Sequence, residues 1–369
     1  MIRKSRAGYK VWSGVLVLAA GLSLARGLGK VKANTSDAAA LDERIATFVR
    51  AKFGIPDTVK VTASPVQESS VPGFLTATIT TDDGKQPKDT VVYLTNDHRY
   101  LIIGFVFAVT KDPKAELLLH IRDQFKVPIS TVLTAGPPHD SGIPNFQAIT
   151  VTAESSKGKQ TQDFYLTSDN HAMVLGNIHN MGVDLKREAL RTIVTTNQPS
   201  QGPPHAPVTI VEYADLECPM CAKLHAFLES DLLPKYPDKV RVIFKEFPLP
   251  MHDWSQQAAI ANECVFQIKP DAFAAYRSLV FQNQQATSVT NVRDNLLSYA
   301  DQVGVDRVRL AGCMDSQASL PKVEEGRREA KELDVVSTPT CFINGRMLVG
   351  FTAPDAYYKA VDAALKASK

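Results

Sequence analysis

The sequence predicts an α/β domain with a helical insertion in its C-terminal half. Two tandem α+β modules, each one helix plus an antiparallel sheet, are predicted to precede it. Three observations lead there. A strand-like run from Pro207 to Ala214 leads into Cys218-Pro219-Met220-Cys221 and then a helical pattern. Residues 41–184 repeat at a constant offset of 72. Residues 253–333 keep helical periodicity almost unbroken between two strand-like segments.

Bulk properties narrow the field. A chain of 369 residues with 44% hydrophobic content suits two or three globular domains. A net charge of +2 without a dense basic patch argues against nucleic acid as a main partner. Five cysteines are too few to staple domains of this size, so ordinary cores must hold them.

Residues 1–33 read as an export signal, or as an N-terminal anchor. Arg3, Lys4, Arg6 and Lys10 form a basic start, and Val11 to Ala25 is an uncharged apolar stretch. Small-residue cleavage patterns occur at Ser23-Leu24-Ala25 and Val31-Lys32-Ala33. The apolar stretch is short for spanning a bilayer. Either reading places the remainder in a periplasmic or other extracytoplasmic space, where disulfide chemistry belongs.

The repeat divides into modules 38–112 and 113–190. Phe53 matches Phe125, Pro56 matches Pro128, Pro72 matches Pro144, Phe74 matches Phe146, and Gly104 matches Gly176. Tyr93-Leu94-Thr95 matches Tyr165-Leu166-Thr167 in the same register, as a duplication would leave it. Each module opens with an amphipathic helix: Leu41, Ile45, Phe48 and Val49 in one, Leu117, Leu118, Ile121 and Phe125 in the other. Three or four alternating strands follow, among them 74–80 and 147–152, 90–94 and 163–166, and 100–108 and 172–178. The stretch 41–184 has no cysteine, and its histidines (98, 120, 139, 171 and 179) are not spaced as ligand pairs, so neither metal nor cofactor is expected. Residues 195–207, TTNQPSQGPPHAP, have the composition of a semi-extended linker.

After the Cys-Pro-Met-Cys turn, Leu224, Phe227, Leu228 and Leu232 fall on one helical face. Cys218 therefore sits at a helix N-terminus, among unpaired N–H groups and the positive end of the macrodipole. Pro219 suits the first helical position, where a missing N–H costs nothing. A thiol lowered to a pKa of about 5 would be almost wholly thiolate at neutral pH. That would favour the reduced form by roughly 2.7 kcal/mol, equivalent to about 60 mV towards an oxidising couple. Half of a zinc knuckle and a stapling disulfide are the competing readings. The first needs a second ligand pair, which the sequence lacks; the strand–turn–helix setting favours redox chemistry over the second. Met220 offers a soft apolar contact to a substrate, or simply a surface fit.

Segment 207–369 resembles the DsbA-type branch of thioredoxin-fold proteins, whose relatives include the isomerases DsbC and DsbG. Beyond the C-x-x-C, Glu212 stands six residues before Cys218, where that superfamily keeps a buried acid. Thr338-Pro339, just before Thr340-Cys341-Phe342-Ile343, matches the loop with a cis-proline that packs against the two cysteines. Asn344-Gly345, Arg346–Phe351 and helix 354–366 match the closing hairpin and helix. The strand–turn–strand segments 93–106 and 165–178 more loosely resemble the N-terminal module of DsbC-type isomerases.

The resemblance implies Cys218 as the exposed attacking thiol, Cys221 as the shielded resolving thiol, and a Thr338-Pro339 loop that pairs with substrate backbone. It implies that Lys245, in the strand-like run 239–248, lies near Glu212 to relay a proton; an exposed strand lysine is the other reading. It implies a structural disulfide between Cys264 and Cys313 in the insertion, rather than two free thiols. Cys341 reads as a buried inert thiol more readily than as a redox partner. Three functions follow as expectations. The first is an oxidase of exported proteins, recharged by a membrane partner. The second is an isomerase or reductase whose modules bind substrate, paired within one chain or across a homodimer. The third is a non-catalytic chaperone or scaffold with a structural Cys218–Cys221 bridge.

Overall fold

The computed structural model describes residues 35–156 and 158–368; the expected export signal, 1–33, lies outside them. No helix among the described residues is long and apolar enough to cross a membrane. The described residues divide into one unit of 35–48 and 60–182 and another of 49–59 and 183–368.

The first unit is built on one antiparallel sheet. Helix α1 (Thr35–Lys52) leads into β1 (Lys60–Ala63), the short β2 (Gln67–Glu68), β3 (Phe74–Asp82), β4 (Lys88–Thr95) and β5 (Tyr100–Ala108). Helix α2 (Pro113–Gln124) leads into β6 (Val132–Asp140), β7 (Phe146–Ser155), β8 (Gly158–Thr167) and β9 (Ala172–Asn180). Their order is β1-β3-β4-β5-β9-β8-β7-β6, with β2 on the flank of β3. Asp112 caps α2 by accepting from the Ala115 amide at 2.8 Å, and Pro113 follows at the first turn. Leu117 and Ile121 of α2 pack on Ile149, Val151, Phe164 and Leu175, burying the apolar face of the sheet.

The two halves of this sheet meet at β5 and β9. Their antiparallel register sets Gly104 opposite Gly176, two residues related by the sequence repeat. A Cβ on Gly176 would lie 2.1 Å from the Ile103 carbonyl oxygen, and one on Gly104 2.3 Å from that of Leu175. Only glycine lets the two backbones approach so closely. A matching pair of arginines also holds the turn after each helix: Arg50 donates to the Pro56 and Val59 carbonyls, and Arg122 to those of Pro128 and Thr131.

The second unit has a five-stranded mixed sheet. Its elements begin with α3 (Leu185–Thr192), β10 (Ser200–Gln201), β11 (Val208–Ala214) and α4 (Pro219–Phe227). A π-turn over Leu228–Leu232 carries α4 into the short α5 (Leu233–Lys235), followed by β12 (Val240–Glu246). The insertion is α6 (Ser255–Ile268), α7 (Phe273–Gln282), α8 (Val292–Gln302), α9 (Arg307–Asp315) and α10 (Leu320–Glu332). Strands β13 (Thr340–Ile343) and β14 (Arg346–Val349) and helix α11 (Pro354–Ala367) close the unit. The order is β10-β12-β11-β13-β14, with β11 and β12 parallel and the other neighbours antiparallel.

Two expected boundaries change. The stretch 195–207 is no free linker: Ser200–Gln201 pairs with β12, and the Pro199 carbonyl accepts from the Phe244 amide. The second module does not extend to 190, because α3 belongs to the second unit. Its Ala189 and the following Ile193 share a core with Val211, Tyr213, Ile243 and Phe342. Residues 49–59 group with that unit too, through the Val349 amide donating to Gly54 and the Arg346–Asp57 pair at 2.6 Å. Composition marked 195–207 as loose, but the backbone pairing of Ser200 and Gln201 and the burial of Gln198 and Pro199 outweigh it.

Candidate active site

Strand β11 delivers its last residues directly beneath the Cys-Pro-Met-Cys turn. Cys218 is the N-cap of α4, and its carbonyl accepts from the amides of Cys221 and Ala222 at 3.1 and 3.2 Å. Pro219, exposed, takes the first helical position, and Met220 is half-buried beside it. Cys218 is more covered than the expected exposed thiol, at 7% exposure, and Cys221 is wholly buried. The cover comes in part from the Thr338–Pro339 loop, whose peptide bond is cis and whose Thr338 carbonyl oxygen lies 3.6 Å from Cys218 Sγ.

The two thiols are held far apart in acidity. A hydrogen bond from the Cys221 thiol brings Cys218 down to about 5, helped by Thr338 and the amides of Met220 and Cys221 against the opposing effect of burial. Burial raises Cys221 well above an ordinary thiol, and the neighbouring Cys218 and Glu212 charges add to it. The Asp215 amide donates to Cys221 Sγ at 3.4 Å.

Residues that sequence reasoning did not single out fix the turn. The Asp215 carboxylate is buried and accepts from the Glu217 and Leu249 amides and from His252 Nδ1, each at 2.7 Å. Gln284, just past α7, donates to the Leu216 and Cys218 carbonyls at 2.7 and 3.1 Å. Among the described residues, no group of three or more His, Cys, Asp or Glu side chains is placed to hold a metal ion.

Glu212 lies on the buried floor of the site, but Lys245 is not its partner. The parallel register sets Lys245 beside Tyr213 and Phe244 beside Glu212. Strand alternation therefore sends Lys245 and Glu212 to opposite faces of the sheet. There Lys245 Nζ pairs with Glu329 at 2.9 Å, and Glu329 also accepts from the Tyr213 hydroxyl. The cation near Glu212 is Arg277 of α7, which donates to Glu212 at 3.3 Å and to Glu246 at 2.7 Å. One signal for it was present in the sequence: Arg277 is the lone charge in the helical run FAAYRSLVF.

The remaining cysteines are settled by geometry. Cys264 and Cys313 are joined in a disulfide that ties α6 to α9. Cys341 is a free, wholly buried thiol opposite Glu212 in the β11–β13 ladder, and burial raises its pKa well above the ordinary value.

Comparison with known proteins covers this same half. Residues 194–363 match the family model described as thioredoxin. Disulfide bond formation protein D of Bacillus subtilis (strain 168) is 28% identical over 176 residues, covering 46% of this chain and 78% of that protein. A putative protein-disulfide oxidoreductase of Rickettsia prowazekii is 27% identical, covering 58% of this chain and 80% of that protein. The Na(+)/H(+) antiporter NhaA of Herminiimonas arsenicoxydans is 33% identical over 169 residues, and the match spans only 25% of that protein's length. Among solved structures, oxidised BdbD from Bacillus subtilis aligns with a TM-score of 0.43 at 24% identity, over 46% of this chain and 93% of that one. The C-terminal half of the chain thus carries a thioredoxin-like domain, similar in sequence to disulfide bond formation proteins.

Proposed function

We propose that the protein is an extracytoplasmic thiol–disulfide oxidoreductase acting on protein substrates through Cys218 and Cys221, with oxidation its favoured direction. One observation carries the reading: a thiol held at about 5 stands beside a buried thiol held well above its ordinary value, at a helix N-terminus. That asymmetry makes Cys218 the sulfur that exchanges with substrate and the better leaving group. The names of the relatives, disulfide bond formation protein and protein-disulfide oxidoreductase, support the same class.

In the oxidising direction a substrate thiolate attacks Cys218 Sγ of the Cys218–Cys221 disulfide. The S–S bond breaks, its electron pair passes to Cys221, and a mixed disulfide remains on Cys218. A second substrate thiolate then displaces Cys218 as a thiolate, leaving an oxidised substrate and a reduced enzyme. A stabilised Cys218 thiolate favours this direction, and a separate membrane oxidant would complete the cycle. The substrate backbone pairs with the Thr338–Pro339 loop in strand fashion, which makes recognition tolerant of sequence.

Cys218→Ala is expected to abolish oxidation of a reduced, unfolded protein; a wild type that shows no such oxidation, yet suppresses aggregation equally well with and without Cys218, would leave only the chaperone or scaffold reading. The reduction potential of the Cys218/Cys221 pair separates the remaining two. A value near about −120 mV fits an oxidase, and one near about −270 mV a reductase. The isomerase reading gains one structural argument, the single sheet that joins both repeat modules within one chain. Reactivation of scrambled ribonuclease by the fully reduced protein tests it.

A further inference from the structure

We infer that Arg277 is a positioning residue for the dithiol chemistry: by holding Glu246 more closely than Glu212, it reserves Glu212 as the carboxyl that exchanges a proton with Cys221. The inference rests on the redox reading above and concerns how the buried sulfur is served.

Arg277 is fully buried, with its guanidinium between the rings of Phe244 and Phe281, 4.9 and 5.0 Å from their centres. It comes from the helical insertion, whereas the two carboxyls it joins come from β11 and β12. One cation faces two carboxyls in a place water does not reach, so the lowest-cost state carries one shared proton. Hydrogen bonding decides which carboxyl holds it. Glu246 Oε1 collects two bonds at 2.7 Å, from Arg277 and from the Asn262 amide. Glu212 has one contact at 3.3 Å, while the other oxygen of each carboxyl, Glu212 Oε1 and Glu246 Oε2, is buried without a partner. Glu246 is the better-served carboxylate, and Glu212 keeps the proton.

The surroundings agree with this division. The charges of the cluster are felt by Cys221 and His225 of α4, Glu263 of α6, Cys341 of β13, which pairs with Glu212 in the ladder, and Tyr357 of α11, while Asp215 acts on Glu246. Burial holds His225 down to about 3, so it stays neutral and adds no second cation. Burial lifts Glu212 to about 7; Arg277 pulls it down, and Glu246 pushes it up.

The proton balance then closes. When a substrate thiolate opens the disulfide, the electron pair goes to Cys221 Sγ and Glu212 gives that sulfur its proton. The resulting carboxylate faces Arg277 until a proton from solvent restores it. In the reverse step Cys221 hands its proton to the Glu212 carboxylate, attacks Cys218 Sγ of a mixed disulfide, and expels the substrate thiolate.

The test mixes fully reduced full-length protein with excess oxidised glutathione and follows two phases: attack by Cys218, then release of glutathione by Cys221. In the wild type the rate of the second phase should rise with pH through a midpoint near Glu212's value of about 7. Arg277→Met should move that midpoint upward by about one to two units and slow release at neutral pH by about tenfold or more. Arg277→Lys should recover part of the shift. Glu246→Gln, which removes the competing carboxylate, should move the midpoint downward, and it decides the matter if Arg277→Met fails to fold. Glu212→Gln should flatten the profile. A normal first phase with an unmoved midpoint in both Arg277→Met and Glu246→Gln overturns the inference alone. Absence of the first phase in the wild type overturns the redox reading along with it.

Discussion

The two units bury different things. In residues 60–182 the buried polar side chains among those described are Thr131 and Thr167, and the rest of the core is apolar. In residues 183–368 the interior holds Glu212, Asp215, His225, Lys245, Glu246, Glu263, Arg277 and Glu329. A folded domain pays heavily for buried charge unless each group is paired. The first unit is therefore organised by patterning and close backbone approach, and the second keeps titratable groups beside its thiols.

The sharpest way to break the first unit alone is at its centre. Gly176→Val would drive a Cβ to 2.1 Å from the Ile103 carbonyl oxygen, a clash no rotamer relieves. A loss of about 4 kcal/mol or more is expected, in the range of severe core defects. Urea unfolding followed by circular dichroism measures it. The pH dependence of Cys218 alkylation, read on the same variant, should keep its midpoint near 5, since no group of the first unit contributes to it. A shifted midpoint would show that the contrast between the units is drawn too sharply.

The next effect in size belongs to the second unit. Removing the Cys264–Cys313 bridge by a double serine substitution frees a loop closed over a sequence separation of 49. About 4 kcal/mol is expected from chain entropy alone. Thermal unfolding under non-reducing conditions should show the loss. Unchanged stability would mean that the packed cores of α6 and α9, rather than the cross-link, hold the insertion.

How much was legible in the sequence follows from the same contrast. The repeat, the strand alternation and the Cys-Pro-Met-Cys turn are local signals, carried by spacing along the chain. The role of Arg277 depends on a helix some 65 residues away from Glu212 packing over β11, and no periodicity encodes that. Lys245 went wrong for a related reason. Its distance from Glu212 along the chain said nothing of the β11–β12 register, and a shift of one residue in register exchanges the faces of a strand. The stretch 195–207 misled through composition. Proline and glycine mark irregular backbone, but Ser200 and Gln201 still found an open strand edge.

The smallest of these effects is also the most direct probe of stored charge. Burial raises Glu263 from 4.5 to about 7, with the Glu246 charge adding to the rise. An acid whose folded pKa lies above its unfolded value contributes stability that is fully present below about 4.5. That contribution is lost as pH climbs through about 7, because the unfolded chain then releases the proton more readily. The cost at pH 8 is about 3 kcal/mol relative to pH 4. Glu263→Gln cannot ionise, so it should match the wild type at pH 4 and exceed it in stability by about 3 kcal/mol at pH 8. Urea titrations at the two pH values check this. Equal stabilities at pH 8 would mean that Glu263 meets water or a cation when it ionises, and the second unit would then store less charge than its burial implies.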